Sequence, residues 1–454
     1  MARLSDTTDL TVGKPAAVIL RFALPIFLSQ LFQQLYNSVD SLIVGNILGK
    51  QALAAVSSSG SLIFLIVGFF TGAMMGAGVV ISRHFGAGDE KQVDRTIHTT
   101  FSVALLVGVF ITVFGMSMTP VILRWMGTAE EVMPHSVSYF RLYFAGGIAI
   151  VLYNACNGIM TALGDSRRPL IYLIVSSCLN VALDLLFVAG FHWGVGSAAV
   201  ATSISQAVSV VLCLRHLTRA DFRFRLQWKK LRIFRSTLLE ILRNGIPSGV
   251  QNSVISLANV LVQTNINSFG GDAMAGCGAF SRLEGFVFLP ITCFSMALST
   301  YISQNLGAKL HDRAKKGARF AIIASCAGAE LIGVLTIAGG AFLIGLFNRS
   351  PEIVAIGVQQ IAVEAPFFFL LSFDHCVAGI CRGAGKASVP MVIMLSIWCA
   401  LRIAYITVAM RIRHEIHLLF WAYPLTWGIS AVLFLIYYLR SDWVHGFDRA
   451  TGAV

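Results

Sequence analysis

Apolar runs long enough to cross a bilayer as helices, about 20 residues each, recur along the whole chain between short polar stretches. Twelve are predicted, over 15–44, 52–82, 96–118, 134–162, 169–189 and 194–217, then over 238–268, 278–306, 318–347, 352–381, 388–411 and 415–438. Basic residues favour every second loop. Arg83, Lys91 and Arg95 follow the second run, Arg167 and Arg168 the fourth, a cluster from Arg219 to Arg235 the sixth, Lys309 to Lys316 the eighth, and Arg382 and Lys386 the tenth. The intervening loops hold few, so the positive-inside rule predicts both termini in the cytoplasm, which requires an even number of crossings. The first run follows Lys14 without a small-residue cleavage site and is expected to stay as an anchor.

The pattern repeats at an offset of 221 residues: ISRHFGA at 81–87 matches ISQNLGA at 302–308. At the same offset Gly158-Ile159, Gly164 and Pro169 match Gly379-Ile380, Gly385 and Pro390, and Ala52-Leu53-Ala54 matches Ala273-Met274-Ala275. Six runs fall on six, which keeps sidedness and predicts parallel repeats about an axis normal to the membrane. The expected fold is therefore all-α and membrane-integral, with twelve transmembrane helices in two six-helix lobes, 1–217 and 238–440. A basic cytoplasmic linker at 218–237 joins them, lying on the headgroups with aromatic residues among its bases, and 441–454 forms a cytoplasmic tail.

Polar residues interrupt the runs in a pattern of their own. In 28–49, LSQLFQQLYNSVDSLIVGNILG, they stand at 30, 33, 34, 37, 40 and 41, steps that place them on one helical face. Asp40 is among them. An Asp at the centre of a membrane helix costs about 2.5–3.5 kcal/mol on insertion scales, so such a group normally faces a bundle interior or a wet cavity. Asn180 and Asp184 stand four apart on one face of the fifth run, and with Asp40 they occupy its outer half and that of the first run. Under the offset, Asp40 maps to Leu261, Asn180 to Leu401 and Asp184 to Tyr405, so this set belongs to the first lobe alone. Two carboxylates and a carboxamide make an oxygen-rich pocket that suits a hard cation such as Na+, or a shared proton.

Composition narrows the class further. The chain has 454 residues, 56% hydrophobic and only 12% charged, against about 25% charged in ordinary soluble domains. Its formal net charge of +12 is read as basic cytoplasmic loops facing anionic lipid rather than as a nucleic-acid surface. The nine cysteines fall mostly in apolar stretches with no CxxC pair or metal-ligand spacing, and are read as small packing residues. No cofactor is expected, and no metal beyond Na+.

The opening ALPIFLSQLFQQLYNSVDSLIVG with Asp40, NACNGIMTALGDSRRP in and after the fourth run, and Asn180 with Asp184 resemble the MATE (multidrug and toxic compound extrusion) antiporter family, most of all its bacterial DinF-like branch. QNLGA and GICRGAGKASVP in the second half add to the resemblance, which covers nearly the whole chain. It implies export of amphipathic, often cationic, small organic compounds in exchange for inward H+ or Na+. It also implies a multi-pass protein of the bacterial cytoplasmic membrane, in contact with lipid; a monomer is expected, although the sequence itself is silent on oligomeric state. Asp40, Asn180 and Asp184 would form the first-lobe cation site, with Tyr139, Asn157 and Thr202 as its supporting polar residues. Some relatives place essential acids in the second lobe, where this chain has Glu284, Glu364 and Asp374.

Pro25, early in the first run, removes an intrahelical hydrogen bond and is a candidate hinge or static kink; Pro247 lies one residue off the matching position. Two other readings stay open at this level. A flippase for lipid-linked precursors would line its cleft with cations, whereas the bases here sit largely in loops. A membrane prenyltransferase would need clustered surface carboxylates for Mg2+ and diphosphate, and Asp184 has no acidic neighbour in sequence.

Overall fold

A computed structural model of the protein describes residues 9–48, 50–125, 128, 130 and 132–445. The regular elements among them are all helices. The first half contains α1 (Pro15–Ile47), α2 (Lys50–Gly86), α3 (Glu90–Trp125), α4 (Met133–Ala145), α5 (Gly147–Ala162), α6 (Arg167–Asp184) and α7 (Gly196–Leu217). The second contains α8 (Arg235–Asn267), α9 (Gly271–Gly307), α10 (His311–Gly345), α11 (Pro351–Glu364), α12 (Phe368–Gly383), α13 (Ser388–Met394), α14 (Arg402–Ile412) and α15 (Ile416–Arg440). Among the described residues, nine helical stretches are long and apolar enough to cross a membrane, and α4 with α5, bent by 47°, would make a tenth. The runs expected at 52–82 and 238–268 are helical as α2 and α8 but are not among those nine. In α8 the reason is visible in its sequence, which carries Arg243, Asn244, Gln251, Asn252, Gln263 and Asn265.

Besides the bend between α4 and α5, three expected spans are broken inside, each beside a charged residue. The fifth continues past Asp184 as a π-helical segment, Leu185–Gly190. The tenth stops at Glu364 and passes through a 3-10 turn, Ala365–Phe367, because Pro366 has no N–H to donate and clashes with the preceding turn. The eleventh widens to π-helix over Leu395–Leu401 and resumes at Arg402. Such segments interrupt the regular ladder and concentrate at functional sites.

Helix α3 displays how the faces are sorted. Leu106, Val109, Phe110 and Val113 form an exposed apolar ridge, suited to hydrocarbon. Its buried face carries Ala104, Gly108 and Gly115; a Cβ on Gly115 would lie 2.3 Å from the Phe144 ring, so small residues set the helix spacing.

By packing, the chain forms two compact units. One is built around Leu24–Gly249 and the other around Leu10–Ala23 with Val250 onward. The unit boundaries thus fall inside α1 and α8, close to Pro25 and Pro247, and each unit includes the start of a helix from the other half of the sequence. The 221-residue repeat marks the grip. In the first unit Arg83 and His84 hold Glu240 of α8 at 2.9 and 3.5 Å. In the second, the matching Gln304 and Asn305 bond the Leu10 N–H and carbonyl, each at 3.2 Å.

The linker is docked rather than free-standing. The Gln227 N–H donates to His98 Nε2 at 3.0 Å, the Phe234 N–H donates to Thr99 Oγ1 at 3.3 Å, and the Trp228 ring meets Phe101 edge-on at 5.8 Å. At the other end, Trp443 and Val444 are buried and Trp443 stacks on Tyr438; the rest of the expected tail, 446–454, lies outside the described residues.

Candidate functional site

The polar stripe of α1 leads into a cluster within the first unit. Asp184 is fully buried at the C-terminal end of α6, and its carboxyl stands within hydrogen-bonding reach of that of Asp40. A hydrogen bond between two carboxyls needs a proton on one of them, and a bridging cation would serve the same end. Each acid keeps one buried oxygen, Oδ1, without a hydrogen-bond partner among the described residues. Buried acceptors are normally satisfied, so these two oxygens mark a place prepared for something more.

Neighbouring side chains fix the pair. Asn180, one turn before Asp184, donates its amide to Asp184 Oδ2 at 3.2 Å and accepts from the Thr202 N–H at 3.3 Å when its carboxamide is oriented to satisfy both ends. Thr202 in turn donates to the Ala198 carbonyl at 3.0 Å, which ties it to its own helix α7. Tyr139 is buried in the same electrostatic neighbourhood as Asp40, Asp184, Tyr36 and Tyr143, with its ring stacked near that of Tyr143.

Of the residues expected here, Asp40, Asn180, Asp184, Thr202 and Tyr139 come together. Asn157 does not join them by any hydrogen bond: its Oδ1 accepts from Thr161 one turn on, at 3.3 Å. Two members were missed. The Tyr36 hydroxyl stands within hydrogen-bonding reach of Gln206 and Gln33 beside the acids. Helical spacing held the signal for both, since Tyr36 lies four before Asp40 and Gln206 four after Thr202.

The second unit has buried acids at other positions. Asp374 accepts from the Ser430 hydroxyl, and the Trp398 indole N–H donates to the same hydroxyl at 2.9 Å. Glu364, buried at the end of α11, accepts from the Gln360 amide at 2.8 Å, and Glu284 lies on α9. The two expected second-half acids therefore sit in different surroundings. Arg402 went unnoticed in sequence, although a single arginine in the midst of the apolar run 388–411 is a signal of the same kind as Asp40. Pro25 lies inside α1, and the Ser29 hydroxyl donates to its carbonyl at 2.8 Å. No group of three or more His, Cys, Asp or Glu side chains able to hold a metal ion occurs among the described residues.

Comparison with known proteins agrees with this architecture. The MatE family model matches 25–186 and 247–406, segments that start 222 residues apart and end 220 apart, on either side of the repeat offset. The chain is 28% identical over 431 residues to the probable multidrug resistance protein YoeA of Bacillus subtilis (strain 168), covering 92% of each. It is 29% identical over 398 residues to the probable multidrug resistance protein YpnP of the same organism, covering 86% of this chain and 87% of that one. Among solved structures, the outward-facing conformation of a multidrug resistance MATE family transporter of the MOP superfamily superposes with a TM-score of 0.90 at 22% identity, over 96% of this chain and 98% of that one.

Proposed function

The chain belongs to the MatE family, and from that footing we propose that it is a secondary active multidrug exporter. It moves amphipathic, often cationic, organic compounds outward in exchange for H+ or Na+, by alternating access. Relatives named as multidrug resistance proteins support export over the prenyltransferase and flippase readings.

The observation that carries the coupling mechanism is the Asp40–Asp184 pair with one unpartnered oxygen on each acid. A cation entering from outside is held between the two oxygens, while Asn180 and Thr202 keep Asp184 in place. Occupation favours whichever arrangement of α1 and α6 binds the cation better, and it shifts the equilibrium only by that difference in affinity. Each charge moving inward supplies about 2.3 kcal/mol per 100 mV of membrane potential. Tyr139, Tyr36 and Gln206 complete the polar wall of the site. Glu284 and Asp374 contribute from the second half, and Pro25 is the point at which α1 bends.

An acid pair confined to the first repeat supports assignment to the DinF-like branch. The distribution of basic loops supports a multi-pass membrane protein with both termini inside, and the bacterial relatives support the bacterial cytoplasmic membrane, where it acts as a monomer. The reading is tested by drug-dependent flux in proteoliposomes under independently imposed Na+ and pH gradients. One of the two gradients should drive accumulation; export indifferent to both would refute coupling.

A further inference from the structure

The basic linker docks at one particular place. His98 Nε2 accepts the Gln227 N–H at 3.0 Å and Thr99 Oγ1 accepts the Phe234 N–H at 3.3 Å, so residues 227–234 lie against the first turns of α3. A cavity of about 350 Å³ opens there, its wall including Asp94, His98, Lys229, Lys230, Arg232 and Phe234. His98 Nδ1 lies 2.7 Å from the Asp94 carbonyl. With Nε2 accepting and Nδ1 donating, the ring is the neutral form and adds no charge to the cavity.

The remaining charges are uneven. Among the described residues Asp94 is the only acid on the cavity wall, and Lys230 lies 3.8 Å from it. Glu90, one turn earlier on α3, pairs with Arg223. Arg95, Lys229 and Arg232 are left with no carboxylate within 4 Å among the described residues. Two of these three are also drawn together. The guanidiniums of Arg95, from α3, and Arg232, from the linker, lie 5.2 and 5.8 Å from the centroid of the same Phe234 ring. Like charges gathered on one ring repel until an anion joins them, and guanidiniums with an ammonium are the set that holds phosphate.

The position of the cavity distinguishes a lipid phosphate from a soluble one. Leu106, Val109, Phe110 and Val113 form the exposed apolar ridge of α3. At 100° per residue His98 and Thr99 fall on that same face, His98 about 12 Å before Leu106 along the axis. The linker therefore crosses the foot of the ridge, with Trp228 and Ile233 exposed among its bases, as in segments that lie at a membrane interface. A soluble phosphate would use the bases alone, whereas a phospholipid uses both features. The geometry points to a binding site for one anionic phospholipid, its phosphodiester held in the cavity by Arg95, Lys229 and Arg232 and its acyl chains lying along the α3 ridge. Lipid bound there ties the linker to α3. The site goes beyond the exporter reading and requires only that the protein be embedded in a membrane.

The test titrates the full-length protein in a neutral detergent with dioleoyl phosphatidylglycerol or zwitterionic dioleoyl phosphatidylcholine, and counts bound lipid by native mass spectrometry. One phosphatidylglycerol should be held at least about tenfold more tightly than phosphatidylcholine, the worth of one charge-assisted hydrogen bond. Lys229→Gln combined with Arg232→Gln should remove that preference, and so should Arg95→Gln, which keeps the test decisive if the linker variant does not fold. Lys315→Gln combined with Lys316→Gln, an equal loss of charge at exposed lysines of α10, should leave the preference within about twofold. Equal retention of the two lipids would overturn the proposal. An equal loss in the α10 variant would also overturn it, by showing diffuse attraction in place of a site. Displacement of the lipid by excess inorganic phosphate would assign the cavity to a soluble anion instead. Failure of the exporter reading would appear separately, as export indifferent to both ion gradients.

Discussion

A Cβ placed on Gly76 would lie 2.2 Å from the backbone nitrogen of Gly245, so α2 and the start of α8 pack backbone to backbone. The contact continues one turn away, where a Cβ on Gly72 would come within 2.5 Å of the Gly249 nitrogen. Both helices thus present glycines four apart, a spacing that permits close approach of membrane helices. Arg83, His84 and Glu240 close the same seam. Gly76→Ala or Gly245→Ala should force the helices apart and destabilise the protein by about 1–3 kcal/mol or more. A thermal shift assay in detergent checks this; Gly88→Ala, where a Cβ meets nothing within 4 Å although φ is +69°, should cost less.

Removing one charge of the acid pair should uncouple transport without unfolding the protein. Asp40→Asn and Asp184→Asn, made separately, are each expected to lower coupled drug efflux in everted vesicles by about 5–150-fold, the span of ordinary coupling free energies. Full coupled efflux in both variants would remove the pair from the mechanism.

The two asparagines should separate. Asn180→Ala deprives buried Asp184 of its amide donor, and a lost hydrogen bond to a charged group is worth about 1.5–3 kcal/mol. Cation-dependent protection against thermal unfolding should fall accordingly. Asn157→Ala breaks only a bond to Thr161 on the same helix and should leave that protection within about twofold, since surface-like substitutions stay near 0.5 kcal/mol. Equal effects would place Asn157 in the site after all.

Pro25 can be tested by pairing stability with rate. Proline in a helix interior is less favourable than alanine by about 3 kcal/mol, so Pro25→Ala should strengthen α1. If α1 bends there during transport, the variant should be more stable yet export more slowly. A variant more stable and equally fast would make the kink static.

Arg402 gives a prediction about charge type. Arg402→Lys keeps the charge but loses the planar group that lies over Tyr423 and meets Thr426 through two nitrogens. Stability should fall by about 1.5–3 kcal/mol, the worth of a hydrogen bond to a charged group, and chemical denaturation in mild detergent would register it. An unchanged midpoint would mean the aromatic cradle contributes little.

Local pattern determined a great deal here. The lengths of apolar runs, the 221-residue offset and the three- and four-residue spacing of polar positions are properties of single helices, so the helical runs, the repeat and the shared face of Asn180 and Asp184 were all readable from the chain. So was the candidacy of Asp40, because a carboxylate in an apolar run is conspicuous by cost alone. Tertiary structure decided the rest. Which side chains meet depends on how each helix is rotated and where its ladder breaks, and neither follows from periodicity. That is why Tyr36 and Gln206 joined the acids while Asn157 did not, and why Asp374 meets Ser430 while Glu364 meets Gln360. It is also why the compact units divide within α1 and α8: the close approach of Gly76 to Gly245, and the hold of Gln304 on Leu10, are made between helices far apart in sequence, where no local pattern reaches.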